Sequence, residues 1–500
     1  MITMEFGWMW LVMVLIWSFG AVLVAILEWV LKSANKWLHE KHLGEKQYSL
    51  PPGDLGWPFL GNMPSFLRSF KSNHPESFIS SFVSRFGRTG IYKAFMFGSP
   101  CVIVTTPETC RRVLTADDDS FKPGWPQSTV QLIGNKSFIG ISYEEHKRLR
   151  RLTAAPVNGY EALSTYAKYI EENVVSSLNK WTTMGEFEFL TQLRKLTFRI
   201  IMYIFLSSES EPVMEALERE YTALNYGVRA TAINLPGFVY HKALKARKKL
   251  VATFQSIVDE RRNQRKEFVL PKKKDMMDAL LDVADENGRK LSDEEIIDIL
   301  LMYLNAGHES SGHTAMWAAI FLERHPEFLQ KAKAEQEEIV RKRPPGQSGL
   351  TLKEIREMEY LSKVIDETLR VITFSPFVFR EAKTDVNING YTIPKGWKVV
   401  VWFRSVHLDP EIYENPMEFN PSRWDNYTPK AGTFLPFGAG SRLCPGNDLA
   451  KLEITIFLHH FLLHYQLERV NPGSPVMYLP HTRPIDNCLA RLKKCPTSSA

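Results

Sequence analysis

Cysteine is scarce. The chain has only Cys101, Cys110, Cys444, Cys488 and Cys495, an odd, scattered set with no Cys-x-x-Cys pair. That pattern excludes a disulfide-framed secreted domain and argues against a cysteine zinc cluster; it fits a reducing compartment. Charge of one sign is also in short supply. A net charge of +6 over 500 residues is too mild to imply a nucleic-acid partner. No internal repeat is present, which excludes a solenoid or propeller. No Gly-x-Gly-x-x-Gly turn follows a strand, so the chain carries no flavin or nicotinamide domain of that type. With 44% hydrophobic residues it can bury a large core, and disorder is not the default.

Long hydrophobic runs are rare, and the one that exists is at the N-terminus. No charged residue interrupts Phe6 to Leu27, a stretch long enough for the roughly 20 apolar residues a bilayer span requires. It exceeds a signal-peptide core, and no small-residue cleavage site follows it. Trp8, Trp10, Trp29 and Trp37 lie near its edges, while Lys32, Lys36, Lys41 and Lys46 follow it and only Glu5 precedes it. The positive-inside rule then places the bulk of the chain in the cytosol. The expected organisation is a transmembrane anchor over 1–31, a basic and Pro-rich hinge over 32–58, and one globular domain over 59–500. Leu50-Pro51-Pro52-Gly53 opens the stiff part of that hinge.

Beyond the hinge, strands are expected around Gly90–Phe97 and Cys101–Thr105, with the turn at Gly98-Ser99-Pro100, and Pro107 opens a short helix. Helices dominate from Tyr160 to Arg262, broken at Asn234-Leu235-Pro236-Gly237, and Arg261–Lys274 reads as a polar surface connection. Ser292 and Glu295 make a capping box for a helix reaching Arg324, roughly 49 Å long at the standard rise. A further helix covers Leu352–Ile372. Asn389-Gly390 marks a hairpin, and Lys398–Phe403 another strand. An almost wholly apolar helix runs from Asn447 to His464 and should be buried. The fold class is therefore mainly α with small antiparallel β-sheets.

Three constellations carry chemistry. Cys444 sits in Phe437-Gly438-Ala439-Gly440-Ser441-Arg442-Leu443-Cys444-Pro445-Gly446, between a Gly-rich turn and the start of the last helix. Backbone N–H groups and a helix N-terminus there would lower the thiol pKa. Small residues let the backbone approach a flat partner, and Arg442 could meet that partner's anionic edge. These features suit a thiolate that holds haem iron. In the long helix, Ala306-Gly307-His308-Glu309-Ser310 places a Gly at about 1 kcal/mol cost mid-helix, leaving room for a small ligand. Glu309 and Ser310 could relay protons to it, or form an ordinary solvated pair. Glu367 and Arg370, at i and i+3, can pair on one helix face, where an exposed pair would be worth little.

The run Phe-x-x-Gly-x-Arg-x-Cys-x-Gly at Phe437–Gly446 resembles the cytochrome P450 monooxygenases at every fixed position, and the other motifs follow in that family's order. The resemblance implies the cytochrome P450 fold, haem b with Cys444 as axial iron ligand, and dioxygen as co-substrate. It also implies electrons from NADPH through a separate NADPH-cytochrome P450 reductase. Arg442, Arg380 and Arg150 match positions that face the haem propionates; His146 stands where the family has Trp and keeps one donor. A surface histidine is the alternative. Glu367, Arg370 and Arg423 (in Phe419-x-Pro421-x-Arg423-Trp424) are implied to lock the Cys444 loop. Glu309 and Ser310 match the acid–hydroxyl pair, with Ser310 replacing the commoner Thr. Lys147, Arg148, Arg150, Arg151, Arg111 and Arg112 read either as a solvated face or as a reductase dock.

At finer grain, Tyr203-Ile204-Phe205-Leu206-Ser207-Ser208-Glu209-Ser210-Glu211, Asn305–His313 and Tyr427–Gly438 resemble a plant P450 group that oxidises ent-kaurenoic acid. That implies successive oxidation of this diterpenoid acid, by 7-hydroxylation, ring contraction and further oxidation, to gibberellin A12 at the endoplasmic reticulum membrane. A sibling group acting on β-amyrin-type triterpenoids or steroids is the alternative. Pro376, within Phe374–Phe379, departs from the group at an expected substrate wall.

Overall fold

The computed structural model describes residues 2–116, 119–207, 211–267, 275–347 and 349–495. Ser208–Ser210 of one resembling stretch and residues 268–274 of the expected surface connection lie outside them. The chain divides into two compact units, one formed by Met1–Val113, Asp119–Gly124 and Phe379–Trp402, the other by the remainder.

The first unit starts with one continuous helix, Ile2–Glu40. Within Met13–Leu43 an apolar window has a mean hydropathy of 2.3 and none of it is buried, as a membrane span requires. The helix does not stop at residue 31, where the hinge was expected. Asn35 is buried, and its Nδ2 donates to the carbonyls of Leu55 at 2.6 Å and of Gly56 and Trp57 at 3.3 Å. Glu40 pairs with Lys93 at 2.7 Å. Tertiary partners therefore carry the helix past its apolar stretch, where composition suggested a tether.

This unit also holds a five-stranded sheet, in the spatial order Ile91–Met96, Ser99–Val104, Lys398–Trp402, Phe377–Ala382, Phe121–Pro123. Its first hairpin turns at Phe97-Gly98, both at positive φ (53° and 77°), a two-residue turn that begins one residue earlier than expected. That is the twist-compatible two-residue turn of tight hairpins. Asn389-Gly390 makes the second such turn, between Val386–Ile388 and Tyr391–Ile393. Trp402, buried, packs against Phe66 and Phe78.

The second unit is helical and is built around the long helix Asp293–Arg324, whose capping box of Ser292 and Glu295 is present as expected. Helices Phe189–Leu206, Glu359–Ile372 and Asn447–His464 bury their apolar faces in the core that surrounds it. The expected helix over 352–372 is two helices, Leu352–Glu357 and Glu359–Ile372, separated at buried Met358. A side chain from elsewhere makes the second start possible: Glu335 accepts the N–H groups of Tyr360 at 2.6 Å and Leu361 at 2.9 Å, satisfying two orphan donors. Arg261 is not on a surface connection. It is buried inside helix Val239–Glu267, donating to Asp275 and to the Leu206 carbonyl. Helix Tyr143–Asn158, capped by Ser142, had not been expected as an element. A three-stranded sheet at the C-terminus pairs Leu489–Lys494 with Tyr465–Arg469 and Phe187–Glu188.

Candidate active site

Cys444 lies on a loop held at both ends. Its N–H donates to the Phe437 carbonyl at 2.9 Å, closing the turn that Gly438 and Gly440 allow with φ of 76° and 74°. A Cβ on Gly440 would run into the Leu114 carbonyl, so no larger residue fits there. Arg442 Nη1 donates to the Phe138 carbonyl at 3.0 Å, and Asn158, at the end of helix Tyr143–Asn158, donates to the Pro445 carbonyl. Phe437 is half-buried against the core.

The thiol itself departs from expectation. Burial pushes Cys444 up, and the Gly446 N–H and the Arg150 charge only partly offset it. The loop alone therefore leaves the sulfur protonated, and a bound cation would displace that proton. A lone soft sulfur on a rigid loop, with Gly446 N–H and two guanidinium groups nearby, is a donor set that fits a haem iron and its propionates.

Arg150 is half-buried and His146 buried on the same helix, the His146 ring 5.4 Å from Phe138. Arg380 lies in the other unit, buried on strand Phe377–Ala382, where its Nη1 donates to the Phe379 carbonyl. The expected basic patch is largely consumed. Arg148 is buried and tied to Glu145, Glu295 and Asp285; Arg151 pairs with Glu286; Arg111 and Arg112 belong to the other unit. Lys147 stays exposed, in a groove lined by charges of both signs.

The lock is built from residues that the sequence separates widely. Glu367 and Arg370 are both 0% exposed and pair at 2.7 and 2.9 Å. Arg423 Nε reaches Glu367 at 3.2 Å and its Nη1 the Glu414 carbonyl at 2.7 Å. Arg370 also donates to the carbonyls of His407, Pro416 and Glu418. A paired charge removed from water must satisfy its remaining hydrogen bonds, and here three backbone carbonyls and the Trp424 and Asn420 N–H groups do so. Sequence reasoning named Trp424 in its motif without a role, and missed Asn420 and above all His407. Its Nδ1 faces the Thr373 hydroxyl at 2.9 Å, and that hydroxyl donates to the Arg370 carbonyl, so Nδ1 carries the proton. Its Nε2 then accepts the Leu435 N–H at 2.9 Å. Burial, then Arg370 and Arg404, lower His407 to about 3, keeping it neutral. The lock thus connects to the backbone two residues before Phe437. The His-x-Asp-Pro run at His407–Pro410 was the available signal.

The long helix is buried almost throughout, yet at its middle Ala306 is exposed and Asn305, Gly307 and Ser310 are half-buried. The opening is at Ala306 rather than at Gly307, where a Cβ would meet Ile201 at 3.0 Å. The Ser310 hydroxyl donates to the Ala306 carbonyl at 3.0 Å. Glu309 points into protein: Oε1 accepts from Asn225 at 2.7 Å, while Oε2 is 3.1 Å from Arg229 and 3.5 Å from Arg194. Burial alone would raise its carboxyl, but Arg229 and then Arg194 outweigh it and hold the group well below the usual carboxylate range.

The cytochrome P450 family pattern matches residues 51–484. The chain is a cytochrome P450. It is 73% identical over 467 residues to ent-kaurenoic acid oxidase 1 of Arabidopsis thaliana, covering 93% of this chain and 95% of that one. With ent-kaurenoic acid oxidase 1 of Hordeum vulgare it shares 56% identity, covering 96% and 98%. With 7,8-epoxymelianol synthase of Ailanthus altissima it shares 52%, covering 99% and 98%. The retinoic acid-bound cyanobacterial CYP120A1 superposes with a TM-score of 0.78 at 27% identity, over 90% of this chain and all of that one. Haem-thiolate iron follows from membership of the family, as does monooxygenase chemistry.

Proposed function

We propose that this P450 oxidises ent-kaurenoic acid in successive steps, 7-hydroxylation, ring contraction and further oxidation, ending at gibberellin A12. The observation that carries this reading is the 73% identity, over nearly the full length, to an enzyme named for that substrate. Haem, when bound, supplies the oxygen-activating chemistry. Cys444 Sγ would ligate the iron; Arg442 and Arg150 would meet the propionates, with His146 supplying a donor and Phe437 joining Arg442 on the cysteine loop, and the family resemblance alone assigns Arg380 a propionate as well. Glu367, Arg370 and Arg423 hold the loop in register. Ser310 Oγ delivers protons at the open middle of the long helix. Glu309, kept ionised by two guanidinium groups, passes a proton on at Oε2 and does not store one.

The exposed N-terminal helix supports anchorage in a membrane, and the lysines that follow it favour a cytosolic catalytic unit. We assign that membrane to the endoplasmic reticulum, with NADPH-cytochrome P450 reductase as electron donor and the apolar substrate entering from lipid. Microsomes holding the full chain and a reductase, fed ent-kaurenoic acid and β-amyrin separately, test the assignment. Gibberellin A12 from the acid is the expected product; formation of only an oxidised triterpene would overturn it.

A further inference from the structure

Around Glu309 the helical unit gathers polar groups that the proton relay so far does not use. His313, one turn along the same helix, is fully buried, and its Nδ1 lies 2.7 Å from the Glu309 carbonyl. A carbonyl only accepts, so Nδ1 carries the proton and Nε2 holds the lone pair. His481 repeats the arrangement, with Nδ1 donating to the Phe374 carbonyl at 3.4 Å and the ring stacked on Phe374 at 4.0 Å. The two imidazoles sit 5.5 Å apart, edge to face. Burial, reinforced by the nearby arginines, lowers His313 to about 3 and His481 well below its ordinary value, so both are neutral acceptors.

The consequence is a mismatch that protein atoms leave open. His481 Nε2 stands 3.8 Å from Glu309 Oε2, a lone pair facing a carboxylate oxygen, which repel unless a donor lies between them. Among the described residues, no protein group donates to His481 Nε2 or His313 Nε2, and Arg194 Nε, beside the same carboxylate, is a buried donor without a protein acceptor. Buried polar groups are rarely left so. Two hydrogen bonds of about 2.8 Å from one molecule span a 3.8 Å gap, and small two-donor, two-acceptor molecules suit a set of three acceptors, Glu309 Oε2 and the two Nε2 atoms, with one donor at Arg194 Nε.

We propose that His481 and His313 form a binding site for ordered water against Glu309 Oε2, and that this water is the step by which protons reach the acid–hydroxyl pair. His481 and His313 are then positioning residues. The water hands a proton to Oε2 and regains one from solvent, which the cluster meets at Arg229 and Arg194, whose side chains remain 22% and 24% exposed. This places the proton's entry at the Oε2 that stands 3.8 Å from His481 Nε2. It rests on the reading of Glu309 and Ser310 as the relay.

Two measurements on the full-length holoenzyme test it. A crystal structure that resolves solvent should show water within hydrogen-bond distance of both His481 Nε2 and Glu309 Oε2; direct contact of the two side chains, or a protein donor between them, overturns the site whatever the substrate proves to be. Then His481→Phe, which keeps the ring on Phe374 but removes the acceptor, should lower product formed per NADPH about tenfold, part of what proton delivery contributes. Peroxide release should rise and KM should stay unchanged. His481→Gln, which restores an acceptor, should recover much of the coupling. Unchanged coupling in both His481→Phe and His313→Phe, or loss that His481→Gln does not relieve, refutes the proton role. Coupling is read with whichever substrate the wild type turns over, so failure of the kaurenoic acid assignment leaves this test standing.

Discussion

Glu453 offers a quantitative test of how the helical core is built. It sits on helix Asn447–His464, 5% exposed, with Ser311 of the long helix hydrogen-bonded to its carboxyl and no protein donor, among the described residues, at Oε1. Burial pushes this carboxyl up to about 8, and Ser311 offsets only part of that. The sign follows directly. An unfolded chain ionises Glu453 near its ordinary 4.5, so between there and 8 the folded state keeps a proton that the unfolded state has lost. Stability is fully present below the unfolded value and declines as pH rises toward the folded one, by about 1.4 kcal/mol per pH unit. Glu453→Gln keeps the shape and the Ser311 contact but does not titrate. The stability of the variant relative to wild type should therefore rise by roughly 3 kcal/mol between about pH 5.5 and pH 7.5. Urea unfolding of both full-length proteins in detergent, followed by far-UV circular dichroism at each pH, measures the gap. A gap that stays constant across that window, or narrows with rising pH, refutes the buried neutral acid.

Cys444→Ala should abolish the red-shifted band of the reduced carbon monoxide complex; its persistence would remove Cys444 as the iron ligand. Arg370→Ala leaves Glu367 ionised in a dry site and should cost about 3–5 kcal/mol, read as loss of soluble haem-loaded protein, whereas Arg423→Met, at the edge of the lock where the side chain is 11% exposed, should cost less. His407→Phe strands the Leu435 N–H at about 1–3 kcal/mol and should speed haem transfer to apomyoglobin more than His407→Gln does. Arg229→Gln removes the stronger of the two charges that depress Glu309, so the acid limb of the pH–turnover profile should move to higher pH; an unmoved limb would show that Glu309 ionisation does not govern turnover.

Much of this was legible because it is local. The capping box at Ser292, the two-residue turn at Asn389-Gly390 and the apolar N-terminal run are decided by residues within a few positions of one another, and each appears where expected. The misses have one physical origin. The break at Met358 depends on Glu335, more than twenty residues earlier, and the helix continues to Glu40 because carbonyls at Leu55–Trp57 receive Asn35. Neither partner can be read from the segment it stabilises.

The site divides the same way. The sequence alone supplied the atoms proposed to carry the chemistry: a sulfur at Cys444, an acid and a hydroxyl at Glu309 and Ser310, and a charge trio at Glu367, Arg370 and Arg423. Only the tertiary structure decided their states. Burial holds the thiol protonated, two arginines from outside the long helix keep Glu309 ionised, and the buried His481 ring stands with Nε2 3.8 Å from its carboxylate. Protonation depends on what desolvates a group and on which charges face it across a few ångströms, and the chain brings those neighbours together only when it folds.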